Sequence, residues 1–362
     1  MNNKMLTLAI MAAPLWLAAC SSDESEPVAP GSELSICTQT KESEMVSVTR
    51  TGAESQETQF EQGKIIDVFI NEAGTGTGTD GAYTTTYQQP VRARATNGSG
   101  SFIFVNGQTG NGSEYRQYFP SSGNGVNIYA WYPSRSELYA LTATNKTHSI
   151  ETDQSTDANY DKSDLMFGVP ASNPVNRIAY SSTGGVVPLT FAHKLSKMTV
   201  ELVAGNGIWQ AGTPGTVYPS KLLGAKVTVG STIKPTVTLS SLTAGTISAA
   251  SGTNSTVTML ALNNTYTLNG SNHLMAYAVI PPQSMAGQVI TVQLTDAATI
   301  SSNKVEYKYT IPSGITFQSG KEYKFTMTVQ PNELKVSTTI TDWTTNSSQN
   351  TSGNLTIDTA GS

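Results

Sequence analysis

The apolar positions of this chain recur every second residue over most of its length, and almost nowhere with helical spacing. The alternation is cleanest near the end. VEYKYTI places Val305, Tyr307, Tyr309 and Ile311 on one face, EYKFTMTV repeats this with Tyr323, Phe325, Met327 and Val329, and ELKVSTTI adds Leu334, Val336 and Ile340. Such runs, polar on the other face, predict three half-buried antiparallel strands. In SKMTVELV, Met198, Val200 and Leu202 face one way and Thr199 and Glu201 the other. β-branched runs between Gly, Asn and Ser clusters predict further strands at 64–70, 84–87, 91–96, 101–105, 126–131, 226–229, 236–239, 256–260, 275–280 and 289–294. The weak alternation of 34–50, with Val46 and Val48 opposite Ser47 and Thr49, suits a single strand or a segment on the edge of the fold. Only 133–142 could make a short helix. The expectation is an all-β protein.

Composition sharpens this. Charged residues are only 13% of 362, while Thr, Ser, Asn, Gly, Val and Tyr dominate, which is the make-up of loop-rich sheets. A net charge of -5 provides no basic stripe for nucleic acid. The length suggests two domains, with a boundary after the Pro-, Ser- and Gly-rich stretch ending at Gly185.

The start carries its own signal. Lys4, an apolar run from Met5 to Trp16 and the small residues Ala18 and Ala19 before Cys20 have the layout of a lipoprotein signal peptide, with Cys20 as the lipidated residue. The run is too short to span a bilayer, which takes about 20 residues. SSDESEPVAPGSE after it is acidic and Pro-bearing and reads as a tether. With Cys20 acylated, Cys37 is expected to have no disulfide partner.

Candidate chemistry is sparse. GTGTGTDG at 74–81 lacks the Lys-Ser/Thr of a phosphate loop and reads as a hairpin tip. Asp157, Asn159 and Asp161 reproduce the first three ligand positions of a calcium loop, but Lys162 stands where its Gly belongs and Gly168 where its Glu belongs, so a solvated acidic loop is preferred and no metal or other cofactor is expected. His193 shows no ligand spacing with His148 or His273 and reads as structural. Trp131, Tyr132, Trp209 and Tyr218 could form a glycan platform on a tethered lipoprotein, against core or edge packing. No G-x-S-x-G or HExxH is present, and Asp161 and Asp164 lie in a polar loop without an apolar pocket, which argues against an enzyme. After Trp343 a polar spacer leads to NLTIDTAGS, which has Leu355 and Ile357 at strand spacing.

The stretches VTRTG, FEQGKIIDVFI, YFPSSGNGVNIYAWYP, DLMFG, TFAHKLSKMTVEL, AVIPPQ, FQSGKEYKFTMTV and LKVSTTITDW occur in that order, and together they resemble the fimbrillin family of Bacteroidales pilins, especially its Mfa-like branch. The resemblance implies two transthyretin-like β-sandwich domains in tandem, at 51–185 and 186–345, and export as a lipoprotein to the outer membrane. It implies cleavage between Arg50 and Thr51, which would remove a lipidated first strand within 20–50. It further implies a C-terminal tail, 346–362, whose Leu355 and Ile357 fill the vacated groove of another pilin subunit. A pilus at the cell surface would follow, with other subunits as partners and a host glycan or protein as adhesion ligand.

Overall fold

The computed structural model describes residues 33–38, 60–73, 91–96, 100–106, 112–120, 123–134, 147–176, 186–204, 222, 224–241, 243–262, 267–268, 271–294, 305–330, 333–343 and 359–361. Its first part contains β1 (Glu33–Thr38), β2 (Ile65–Glu72), β3 (Val91–Ala95), β4 (Ser101–Val105), β5 (Gln117–Tyr118), β6 (Val126–Tyr132), β7 (Thr147–Ser149), α1 (Asp157–Ser163), β8 (Met166–Val169) and β9 (Val186–His193). The second part contains β10 (Ser196–Ala204), β11 (Lys226–Ile233), β12 (Thr236–Ser241), β13 (Thr246–Ile247), β14 (Ser255–Thr258), β15 (Leu260–Leu262), β16 (Thr267–Leu268), β17 (Ser271–Ile280), β18 (Val289–Leu294), β19 (Val305–Thr310), β20 (Lys321–Gln330), β21 (Glu333–Asp342) and β22 (Thr359–Gly361). The protein is all-β with several sheets and one short helix among the described residues. The candidate strand at 84–87, the loop at 74–81 and all of the candidate helix over 133–142 except residues 133–134 lie outside them.

In the first part the strands pair in the order β4-β3-β2-β6-β8-β9-β1, and β1 pairs again with β4, so the hydrogen-bonded sheet closes on itself. β2 is buried on both faces, which fits the β-branched run KIIDVFI, whose one carboxylate, Asp67, is buried beside Arg92. On β2, Ile66, Val68 and Ile70 point into the ring, and on β6 Val126, Ile128 and Ala130 do the same. The intervening Phe69 and Trp131, with Phe167 of β8, turn outward and join the core of the second part. Trp131 and Phe167 meet at 4.7 Å between ring centroids.

The segment between β7 and β8 fastens this contact. β7 pairs with β12 of the second part. Gln154, fully buried, donates to the backbone oxygens of Glu151 (3.0 Å) and Val279 (2.9 Å), and its Oε1 accepts from the Val279 N–H (2.8 Å). The amide thus stands in for a strand neighbour along β17. Gln154→Ala would orphan both buried groups of Val279, and each such loss costs about 1–3 kcal/mol. We expect a fall of a few kcal/mol in denaturant stability; an unchanged midpoint would show that these groups find other partners.

Strand pairing changes over between His193 and Ser196, because β9 pairs with β8 and β1 whereas β10 pairs with β17 and β20. The second part has two sheets, β15-β17-β10-β20-β21-β22 and β14-β11-β18-β19, with β12 and β13 in a small third sheet that takes in β7. Met198, Val200 and Leu202 of the first sheet share a buried core with Val227, Val229, Ile290 and Val292 of the second. On the outer face of β10 and β20, Lys324 reaches Glu201 at 2.7 Å and Thr199 donates to Glu322 at 2.6 Å. The three half-buried strands expected at the end are present, but they are not all neighbours. β20 and β21 pair antiparallel as expected, but β19 pairs with β18 in the other sheet. Alternation specifies which side chains turn inward, not which neighbour the strand takes.

Candidate assembly interface

β1 is the closing member of the ring. Along one side it runs parallel to β9, Ser35 opposite Val186 and Thr38 opposite Leu189. Along the other it runs antiparallel to β4, Ile36 opposite Phe102, and to β5, Leu34 opposite Gln117. A strand hydrogen-bonded on both sides is not an edge, so of the two alternatives for this stretch, a single strand or an edge segment, β1 is the strand. Leu34 and Ile36, each 1% exposed, pack with Phe102, Phe104, Phe119, Val187 and Leu189. Two aliphatic side chains buried this far contribute about 1.5–3 kcal/mol each. At the end of β1 the Thr38 N–H donates to the Gly100 carbonyl at 2.8 Å. Gly100 has φ +81, and a Cβ there would stand 2.2 Å from Thr38 Oγ1, so glycine is needed both for the turn and for the close approach. At the start, Glu33 pairs with Arg116 at 2.9 Å on the surface.

The chain leaves the ring at Thr38 and returns at Phe60, whose ring lies edge-on to Phe102, Tyr132 and Phe191 at centroid distances of 5.5, 5.1 and 4.9 Å. The stretch between includes Lys41, Arg50 and Thr51, outside the described residues. Cys20 and the tail residues Leu355 and Ile357 also lie outside the described set. Cys37, fully buried, is disulfide-bonded, which corrects the expectation that it lacks a partner. That expectation rested on the sulfur of Cys20, the chain's only other cysteine, being taken by lipid; one sulfur cannot hold both bonds.

The acidic stretch is not a loop. Thr156 caps α1 by accepting from the Asn159 N–H at 3.3 Å, with Asp157 in the first turn and Lys162 in the last, each favourably placed for the helix dipole. That cap and those charges were the signal for a helix. At about 100° per residue Asn159 falls on the opposite side of α1 from Asp157 and Asp161, so the three do not converge and the calcium-loop candidate is corrected. The Asn159 amide donates to the Asp153 carbonyl at 2.9 Å, and Asp161 binds Lys64 at 2.7 Å and accepts from the Tyr132 hydroxyl. Among the described residues no three potential metal ligands cluster. Tyr160 of α1 is held well above the usual tyrosine range, first by burial and then by the charges of Asp164, Glu322 and Asp161.

His193, at the end of β9, accepts or donates at 2.9 Å with Asp164 and stacks on Trp343 with 3.7 Å between centroids. His148 is buried against the Ser163 carbonyl at 3.0 Å. The glycan platform loses two members, because Trp131 and Tyr132 are buried at 0% and 4% exposure; Trp209 and Tyr218 lie outside the described residues. No helix among the described residues is long and apolar enough to cross a membrane.

Together these features define a class: an all-β protein whose first sheet is closed on itself by β1. The fimbrillin-like family model matches residues 49–343, and the chain belongs to that family. It is a family of structural fimbrial proteins, so the chain is a pilin-type protein of the cell surface. The match leaves out both β1 and the tail. A putative cell adhesion protein from Bacteroides uniformis is similar at 19% identity and a TM-score of 0.57, over 87% of this chain and 100% of that one. Another from Bacteroides ovatus reaches 17% and 0.59, over 87% and 98%. Likeness at this identity establishes the shared fold. Comparison with curated proteins gives no match.

Proposed function

We propose that this protein is a pilus subunit that polymerises by strand exchange: the segment 20–50 is cut away after Arg50, β1 leaves with it, and the tail of another subunit fills its place. The observation that carries this is the closed ring with β1 as its closing member. Without β1, β4 and β9 become unpaired edges beside the pockets of Leu34 and Ile36, a state that invites a replacement strand. A peptide in that gap gains main-chain bonds on both sides and fills alternate pockets.

Polarity supports a filament over a closed pair. The second part of the chain ends with Trp343 stacked on His193, at the far end of β9. A donor running as β1 does, parallel to β9, must begin beside Val186 at the near end, about 25 Å away along the strand. The tail therefore leaves one pole of the molecule and a donor is received at the other. Head-to-tail joining of this kind does not close and builds an open fibre. Lipid and a disulfide compete for the Cys20 sulfur; before cleavage we assign that sulfur to lipid, which holds the subunit at the outer membrane, and adhesion to a host glycan or protein is the expected use of the finished fibre.

N-terminal sequencing of protein taken from the cell surface tests the proposal. Polymer should begin at Thr51, and the remaining precursor at an acylated Cys20 recognisable by mass. Polymer that retains residues 33–38 would overturn strand exchange.

A further inference from the structure

We infer that residues 354–359 take over the place of β1 position by position, because the tail carries a copy of the strand it replaces. This rests on the strand-exchange reading and adds the register. β1 reads Glu33-Leu34-Ser35-Ile36-Cys37-Thr38, and the tail reads Asn354-Leu355-Thr356-Ile357-Asp358-Thr359. Leucine, isoleucine and threonine recur at the same three places, and a serine is matched by a threonine.

The recurring residues are those the groove selects. Leu34 and Ile36 fill the ring, and Thr38 is the residue that Gly100 accommodates without a Cβ. In register, Leu355 and Ile357 enter the same two pockets and Thr359 reaches the Gly100 carbonyl. A slip of two residues in one direction puts Thr359 in the isoleucine pocket; in the other it sets Ile357 against Gly100 and Gly353 in the leucine pocket. A slip of one turns both aliphatic side chains out of the ring. Only one register keeps all three contacts.

The departures are at two positions. Asn354 in place of Glu33 gives up a surface ion pair with Arg116, and such pairs contribute little. Asp358 stands in place of Cys37, on the side of the strand opposite Leu34 and Ile36; the carboxylate does not enter the ring, but the position is fully buried in β1, so it carries a desolvation cost that pairing and burial of the other side chains must offset. The donor forgoes the disulfide and relies on pairing and burial. Thr359 is also the first residue of β22, which pairs with Val336 at the start of β21 in the single subunit. Donation must peel this three-residue pairing away, so Thr359 serves one partner at a time.

The test uses the full chain in cells that form polymer. In β1, Cys37 lies opposite Ser101. Asp358→Cys with Ser101→Cys should therefore give disulfide-linked subunits, whereas Asp358→Cys with Ile103→Cys should not. One serine inserted between Leu355 and Thr356 turns Ile357 out of its pocket and should reduce polymer about 10- to 100-fold, the effect of losing one buried aliphatic side chain. The same insertion before Asn354 only lengthens the spacer and should leave polymer intact. Cross-linking through Ile103 in normal polymer would overturn the register and leave strand exchange standing. Polymer unaffected by deletion of 353–362 would overturn strand exchange itself, and the register with it.

Discussion

Arg50→Ala should leave the subunit folded, exported and unable to polymerise, with β1 still in its place between β4 and β9. The reason is competition at one groove. While β1 is joined to the body through the stretch that ends at Phe60, it refills the gap at a local concentration that a separate donor cannot match. Leu34 and Ile36 then hold the pockets at about 1.5–3 kcal/mol each, along with two rows of main-chain bonds. Excision turns this intramolecular refilling into a one-time loss, and the gap passes to the tail of a neighbour. The measurement is polymer on the cell surface together with the N-terminus of the subunit. Polymer at the normal level with a new start near Lys41 would show that cleavage is needed but not at Arg50. Polymer at the normal level with residues 33–38 still attached would remove the role of excision altogether.

Trp131→Ala is expected to be the most damaging core substitution. Trp131 is fully buried where the outward face of β6 meets the core of the second part, against Phe167 and in the same cluster as Phe69, Ile150 and Leu165. Truncating a buried tryptophan costs about 3–5 kcal/mol, because the lost burial is compounded by the cavity left behind. For a protein of this size each kcal/mol lowers the melting temperature by roughly 2–4 °C, so a drop on the order of 10 °C is the expected calorimetric result. Since Trp131 joins the two parts, the single transition should also divide into two as they uncouple. A variant that melts like the parent would place Trp131 at the surface, and with it revive the glycan platform.

How much of this was legible without coordinates follows from what each signal encodes. The period-two runs of β20, β21 and β10 stood in the chain because each strand meets solvent or a polar layer on one face and a core on the other. KIIDVFI was legible as a strand for the opposite reason, burial on both faces. α1 was missed although Thr156, Asp157 and Lys162 marked its ends, because seven residues are too few to display a helical stripe. β1 lies at the start of the stretch read as a single strand or an edge segment, and the sequence did not decide between the two. Its own six residues alternate, but so do Val46 and Val48, and nothing local separates a strand paired on both sides from one paired on neither.

Residue order by itself determined the all-β class, the family, the lipoprotein-like start and the presence of a tail whose Leu355 and Ile357 repeat the spacing of Leu34 and Ile36, since these depend on side-chain type at fixed short intervals. Only the tertiary structure decided that β9 belongs to the first ring, that β19 lies across the core from β20, that Trp131 joins two cores, and that β1 closes the ring between β4 and β9. Those are choices among neighbours far apart in the chain, made by the free energy of burying whole faces together, and no short interval of sequence contains it.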